Sequence, residues 1–216
     1  MSITTIAPSI TTNNTTEYKE LCERYYPFAK RVHLDSSDGT LTSSRLILPS
    51  GLWWPKGWQV DIHLMSATPS LFVNDLIKLK PNLVILHAEA KEDLLPIFTQ
   101  LKDAGIKVGV AIIKNVYPGS IKNILTSVDH AMIFSGNLGS YGGEADLLLL
   151  EKVALIREIN KTIEIGWDGG ANLENTKTIT QGGVDVINVG SAISQAEDSA
   201  KAFSALNDAT EDESVI

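Results

Sequence analysis

Short runs of Val, Ile, Leu and Ala recur about every 20–30 residues along the chain, separated by stretches with apolar positions at helical spacing. The runs predict strands at Thr4–Pro8, Ala29–Leu34, Gln59–Leu64, Leu83–His87, Lys107–Ile112, His130–Phe134, Thr162–Trp167 and Val184–Val189. Most are nearly continuous apolar runs, the pattern of parallel strands covered on both faces. Helical patterns are clearest at Lys91–Ala104, Glu144–Asn160, Leu173–Gly182 and Ala196–Leu206. Ala104-Gly105 and Gln181-Gly182-Gly183 end helices just before the next strand, where glycine can take a positive φ. Eight strand–helix units predict an α/β protein with a single parallel (β/α)8 TIM barrel, although an open doubly wound sheet shares this local grammar. Unusual polar residues fall at strand C-termini along the whole chain. That placement favours a barrel mouth.

Two segments depart from the pattern. Ser36–Trp58, rich in Gly, Pro, Ser and Trp, reads as a loop with a short helix, placed after the second strand where it could cover a site. Its tryptophans, Trp53, Trp54 and Trp58, read as packing more than as sugar stacking. The barrel domain is expected to span residues 1–206, and the acidic residues 207–216, with little apolar content, read as a disordered tail.

At 216 residues the chain fits one domain, with roughly 70% of the unfolded surface buried on folding. A net charge of −8 argues against nucleic acid, which needs a basic excess, but leaves room for a small anionic ligand in a locally positive pocket. The lone cysteine, Cys22, can form no internal disulfide, so a reducing, cytoplasmic setting is expected. No basic and apolar leader opens the sequence, and no apolar run approaches the ~20 residues that cross a bilayer.

The chemistry gathers at strand ends: His33-Leu34-Asp35, Asp61-Ile62-His63-Leu64-Met65 and Trp167-Asp168-Gly169-Gly170. Alternation along a strand puts His33 and Asp35 on one face, and His63 and Asp168 occupy the equivalent height in other units. Alone, each reads equally well as a structural histidine or a turn aspartate. Together, two imidazoles and two carboxylates suit one divalent ion, Zn, Fe or Mn, and burying them without a cation would be costly.

These motifs resemble the ribulose-phosphate 3-epimerases, of the ribulose-phosphate-binding barrel superfamily. The resemblance runs from Ile6 to about Phe203, through Ala7-Pro8-Ser9, His33-Leu34-Asp35 with Asp38-Gly39, Asp61-Ile62-His63-Leu64-Met65, His87-Ala88-Glu89-Ala90, Asp168-Gly169-Gly170 and Gly190-Ser191-Ala192-Ile193. It implies a metal held by His33, Asp35, His63 and Asp168, with Asp35 and Asp168 doubling as an acid–base pair on opposite faces of the substrate. It further implies that Ser9 orients nearby groups, that Met65 lines the reacting carbons, that His63 also borders the substrate, and that the protein is a homo-oligomer. The implied reaction is epimerisation at C3 of a ketose phosphate, D-ribulose 5-phosphate to D-xylulose 5-phosphate, through an enediolate. Removing a weakly acidic proton beside a ketone calls for Lewis-acid stabilisation of that species. It also calls for two carboxylates in different protonation states.

Gly142-Gly143, Gly169-Gly170 and Gly190-Ser191 follow the sixth, seventh and eighth strands. There, backbone N–H groups and helix N-termini can grip a phosphate. His87 and Glu89 fit the family but read as scaffold and rim, and His130 as structural at the far end.

The chain departs from the family at Ser37 and Phe134, where Met is usual, in Thr40–Ser44, and in the loop from Ser135 to Gly143, with Leu138 where Pro is common. These changes alter pocket walls and spare the metal and proton-transfer residues. A ketohexose-6-phosphate 3-epimerase and a non-catalytic sugar-phosphate-binding barrel therefore stand as alternatives. Decarboxylase or aldolase chemistry would want Asp-x-Lys-x-x-Asp after the third strand, where this chain has Asp61-Ile62-His63-Leu64-Met65-Ser66.

Overall fold

The computed structural model describes residues 4–136 and 143–211. Eight strands run β1 (Thr5–Ile10), β2 (Arg31–Ser37), β3 (Gln59–Met65), β4 (Leu83–His87), β5 (Lys107–Ile112), β6 (His130–Phe134), β7 (Glu164–Asp168) and β8 (Val186–Val189). They are parallel, in sequential order, and β8 closes on β1. Helices α1 (Thr15–Tyr25), α2 (Val73–Leu79), α3 (Leu94–Asp103), α4 (Lys122–Leu125), α5 (Glu151–Ile159), α6 (Thr176–Gln181), α7 (Ser191–Ser194) and α8 (Ser199–Glu211) follow the strands or intervene between them. The expected (β/α)8 barrel is the observed fold, and the strands lie where the apolar runs placed them, to within a few residues.

The strands are buried on both faces, yet β2 and β3 alternate in polarity. Val32, Leu34, Val60, Ile62 and Leu64 belong to the apolar layer shared with the helices. Arg31, His33 and Asp35 alternate with them and point inward, as do Asp61 and His63. Register sets His33 beside Asp61 and Asp35 beside His63. Further round, Leu83, Ile85, Ala111, Met132 and Phe134 form a separate apolar cluster inside the barrel. The interior is thus apolar on one side and polar on the other.

The polar side has a floor and a mouth. At the floor, Arg31 donates from Nε to Asp61 (2.6 Å) and reaches across the barrel to Glu164 with both terminal nitrogens (2.8 and 2.7 Å). His130 Nδ1 lies 2.8 Å from the same carboxylate, in keeping with a structural role away from the mouth. Gly166 makes room for that ring, since a Cβ there would sit 2.4 Å from His130 Nε2.

Three expectations need correction. The helix expected over Glu144–Asn160 is α5 preceded by a tighter turn at Leu147–Leu150. The helix expected over Leu173–Gly182 is only α6. Residues 207–211, assigned to the acidic tail, are instead the end of α8. Phe203 anchors α8 against Phe28 (5.0 Å between ring centres), Leu206 is buried, and Asn207 donates to the Phe203 carbonyl. A helix already nucleated and docked is extended at little cost even by polar residues. Residues 212–216 lie outside the described residues.

The long segment after β2 contains a bridge between Asp38 and Arg45 and one helical turn at Pro49–Gly51. Trp58 is buried, Trp54 packs against the core, and Trp53 meets Tyr18 edge-on at 5.6 Å. Packing accounts for all three. No helix among the described residues is long and apolar enough to cross a membrane.

Candidate active site

Four side chains converge at the mouth. His33 and Asp35 come from β2, His63 from β3, and Asp168 from the last position of β7. Nε2 of His33 lies 3.2 Å from Asp35 Oδ1 and 3.8 Å from Asp168 Oδ2. Nδ1 of His63 lies 2.9 and 3.7 Å from the same two oxygens. All four ligand atoms fall within 4.8 Å of one another.

Geometry and chemistry both suit a cation. Ligand atoms bound at about 2.1 Å to a tetrahedral ion stand about 3.4 Å apart, and the separations here bracket that value. Both histidines are fully buried, and neither ring nitrogen of His33 has a hydrogen-bond partner among the described residues. Buried polar nitrogens are rarely left unpaired. A divalent ion would satisfy Nε2 and neutralise the carboxylates.

The two aspartates are held in different protonation states. Burial works to raise the Asp35 carboxyl, but the imidazoles of His33 and His63 beside it outweigh that and hold it well below the carboxylate range. Thr11 adds a hydrogen bond to its other oxygen at 2.5 Å. Asp168 is pushed up to about 7 by burial, with the Asp35 charge adding to the push against the pull of His33. Burial drives His63 down to about 4, against the pull of Asp35 and with His87 and His33 adding to the drive. The two carboxyls are therefore pushed in opposite directions, Asp35 toward the charged form and Asp168 toward the protonated one.

The cavity above these residues measures about 650 Å³ and is bordered by α1 and α7. Ser9, Met65, Gly143, Gly169, Gly170, Gly190 and Ser191 line it, as expected from the sequence, while Gly142 lies outside the described residues. Gly169 (φ +106°) and Gly170 (φ +70°) pass so close to the preceding loop that a Cβ would come 2.3 Å from Gly136 N and 2.2 Å from Ala145 N. The helix behind Gly190 is a single turn, so backbone N–H groups, not a helix dipole, are available to an anion there.

Several lining residues escaped the sequence reading. Thr11 continues the inward alternation of β1 beyond its end, which a period-two count would have flagged. Asn188 is the one polar residue in β8. Thr42, Ser44 and Arg45 bring the loop after β2 to the rim, and only the folded loop shows this. His87, expected as scaffold, hydrogen-bonds the His63 ring and continues to Glu89.

The model of the ribulose-phosphate 3 epimerase family matches residues 5–194. The chain belongs to that family. It is 32% identical over 176 residues to the ribulose-phosphate 3-epimerase of Helicobacter pylori strain J99, covering 77% of this chain and 80% of that protein. It is 29% identical over 184 residues to the chloroplastic ribulose-5-phosphate-3-epimerase of Arabidopsis thaliana, covering 80% and 64%. Enzymes of this family are isomerases, epimerases acting on carbohydrates, and this chain is one of them. Among solved structures, a 3-hexulose-6-phosphate synthase superposes with a TM-score of 0.76 at 16% identity, covering 95% of this chain and 99% of that one. KGPDC from Streptococcus mutans superposes at 0.74 with 13% identity, covering 97% and 98%. At such identities the likeness is one of fold.

Proposed function

We propose that this epimerase inverts C3 of a ketose phosphate, with D-ribulose 5-phosphate and D-xylulose 5-phosphate as the interconverting pair. The observation that carries the reading is the convergence of two carboxylates, Asp35 and Asp168, from strands three apart round the barrel, on one pair of buried histidines, with all four ligand atoms within 4.8 Å of one another.

In the proposed reaction Asp35 accepts the proton from C3 on one face as the C–H bond breaks. Asp168 delivers its own proton to C3 on the opposite face, and the reverse reaction exchanges the roles. A divalent ion held by His33, Asp35, His63 and Asp168 would supply Lewis-acid stabilisation of the charge that develops on the ketone oxygen. Its identity is open among Zn, Fe and Mn, because this donor set accepts several such ions. Backbone N–H groups at Gly143, Gly169, Gly170, Gly190 and Ser191 hold the phosphate. Met65 and Phe134 wall the reacting carbons, and Ser9 orients a substrate hydroxyl.

The polar rim of Thr42, Ser44 and Arg45 supports a second reading, in which a ketohexose 6-phosphate extends its longer end toward that loop. Metal-loaded enzyme incubated with each ketose phosphate in deuterated water is expected to place solvent deuterium at C3, most rapidly for D-ribulose 5-phosphate. Chelation should stop the exchange and added divalent ion restore it. Faster exchange with the hexulose phosphate selects the second reading. No deuterium at C3 of any substrate overturns both readings.

A further inference from the structure

Asn188 is flanked by Val186, Ile187 and Val189 in β8, and its side chain points into the barrel with only 3% of its surface exposed. Register places it beside Asp168 of β7 on one side and Ala7 of β1 on the other. Its Nδ2 donates to the Met132 thioether at 3.3 Å. Its Oδ1 has no partner among the described residues, although the side chain lines the cavity at the mouth. An apolar residue would fill this interior position without leaving a buried acceptor unpaired, which is a cost that folded proteins rarely carry without use.

We propose that Asn188 is a specificity residue that accepts a hydrogen bond from a substrate hydroxyl on the Asp168 side of the reaction centre. The thioether has lone pairs but no proton, so it holds the amide with nitrogen toward sulfur and oxygen toward the cavity. An amide oxygen needs a donor, and in a ketose phosphate the hydroxyls are donors whereas the ketone and ionised phosphate oxygens are not. Ser9, whose hydroxyl is also buried and unpartnered, lies two residues beyond Ala7 on the adjacent strand. Both side chains line the cavity. A site built to hydrogen-bond a hydroxyl discriminates strongly against a substrate that lacks it.

This inference rests on the proposed ketose-phosphate reading, and its test separates the two. Metal-loaded wild type and Asn188→Leu are compared for turnover, and for binding by calorimetry, with a ketose phosphate and a series of its monodeoxy analogues. Asn188→Leu should lose roughly 10- to 100-fold in kcat/KM on the full substrate, while unfolding at the same or a higher temperature. One monodeoxy analogue should show that same loss with wild type and no further loss with the variant. Asn188→Val replaces it if the leucine form does not fold. Unchanged kcat/KM, or a loss that simply adds to that of every analogue, overturns the assignment while leaving the epimerase reading intact. If wild type turns over no ketose phosphate, that reading falls, and the calorimetric comparison then decides Asn188. Absence of binding by wild type overturns both.

Discussion

Nε2 of His63 lies 2.7 Å from Nε2 of His87, the two rings stacked with centres 4.9 Å apart. Only one of these nitrogens can carry a proton if both rings are neutral. His87 Nδ1 faces Glu89 Oε2 at 2.9 Å, and a carboxylate there calls for a proton on Nδ1. The His87 Nε2 must then accept, which places the His63 proton on Nε2 and, with an ion bound, would leave the Nδ1 lone pair that faces Asp35 at 2.9 Å free to ligate it. The row of three side chains selects the ligand tautomer.

His87→Leu should therefore weaken divalent-ion binding by about 10- to 100-fold, measured by competition with a chromogenic chelator. Glu89→Gln keeps a hydrogen-bonding group and should cost less. An unaltered ion affinity in His87→Leu would show that the row has no part in preparing His63.

Replacing either carboxylate with its amide removes a ligand and a proton carrier together. Asp35→Asn and Asp168→Asn should each lower the rate of deuterium incorporation at C3 by at least about 10²-fold. Turnover that survives both substitutions contradicts the proton-transfer roles.

Gly170 lies on the wall assigned to the phosphate. Alanine at its φ of +70°, with a Cβ 2.2 Å from Ala145 N, must shift the loop before α5. Gly170→Ala should cost on the order of 1–3 kcal/mol from backbone strain alone and raise KM for sugar phosphates. Thermal unfolding and steady-state kinetics on one preparation check both effects.

The barrel floor contributes to stability against acid. Burial tends to raise the Glu164 carboxyl, and Arg31 and His130 overcome it, holding the group well below its ordinary value of 4.5. A depressed folded pKa gives stability that is complete above about pH 4.5 and is lost as pH falls further, toward the folded value. Glu164→Gln should lower the unfolding temperature at neutral pH and flatten its decline in acid. Parallel curves for variant and wild type below pH 4.5 would exclude this role.

The mouth assignments can be traced back to local pattern. His33 and Asp35 share a face because strand side chains alternate, and that is settled within three residues. Gly169 and Gly170 announce themselves as a tight turn after an apolar run. The helical end of α8 was hidden because Asn207, Asp208, Thr210 and Glu211 look like a tail until Phe203 and Leu206 dock. His87 was undervalued because its partner is 24 residues away, on the neighbouring strand.

By itself the sequence determined the number and positions of the strands from local apolar patterning, and the polar residues at their ends favoured a closed barrel over an open sheet, with the family resemblance naming the donor set. Only the tertiary structure decided which atoms meet. Barrel closure brings Asp168 to His33, register sets Asn188 beside Asp168, and shared burial separates the protonation of two aspartates. Those properties belong to distances between strands remote in the chain, and no local pattern encodes them.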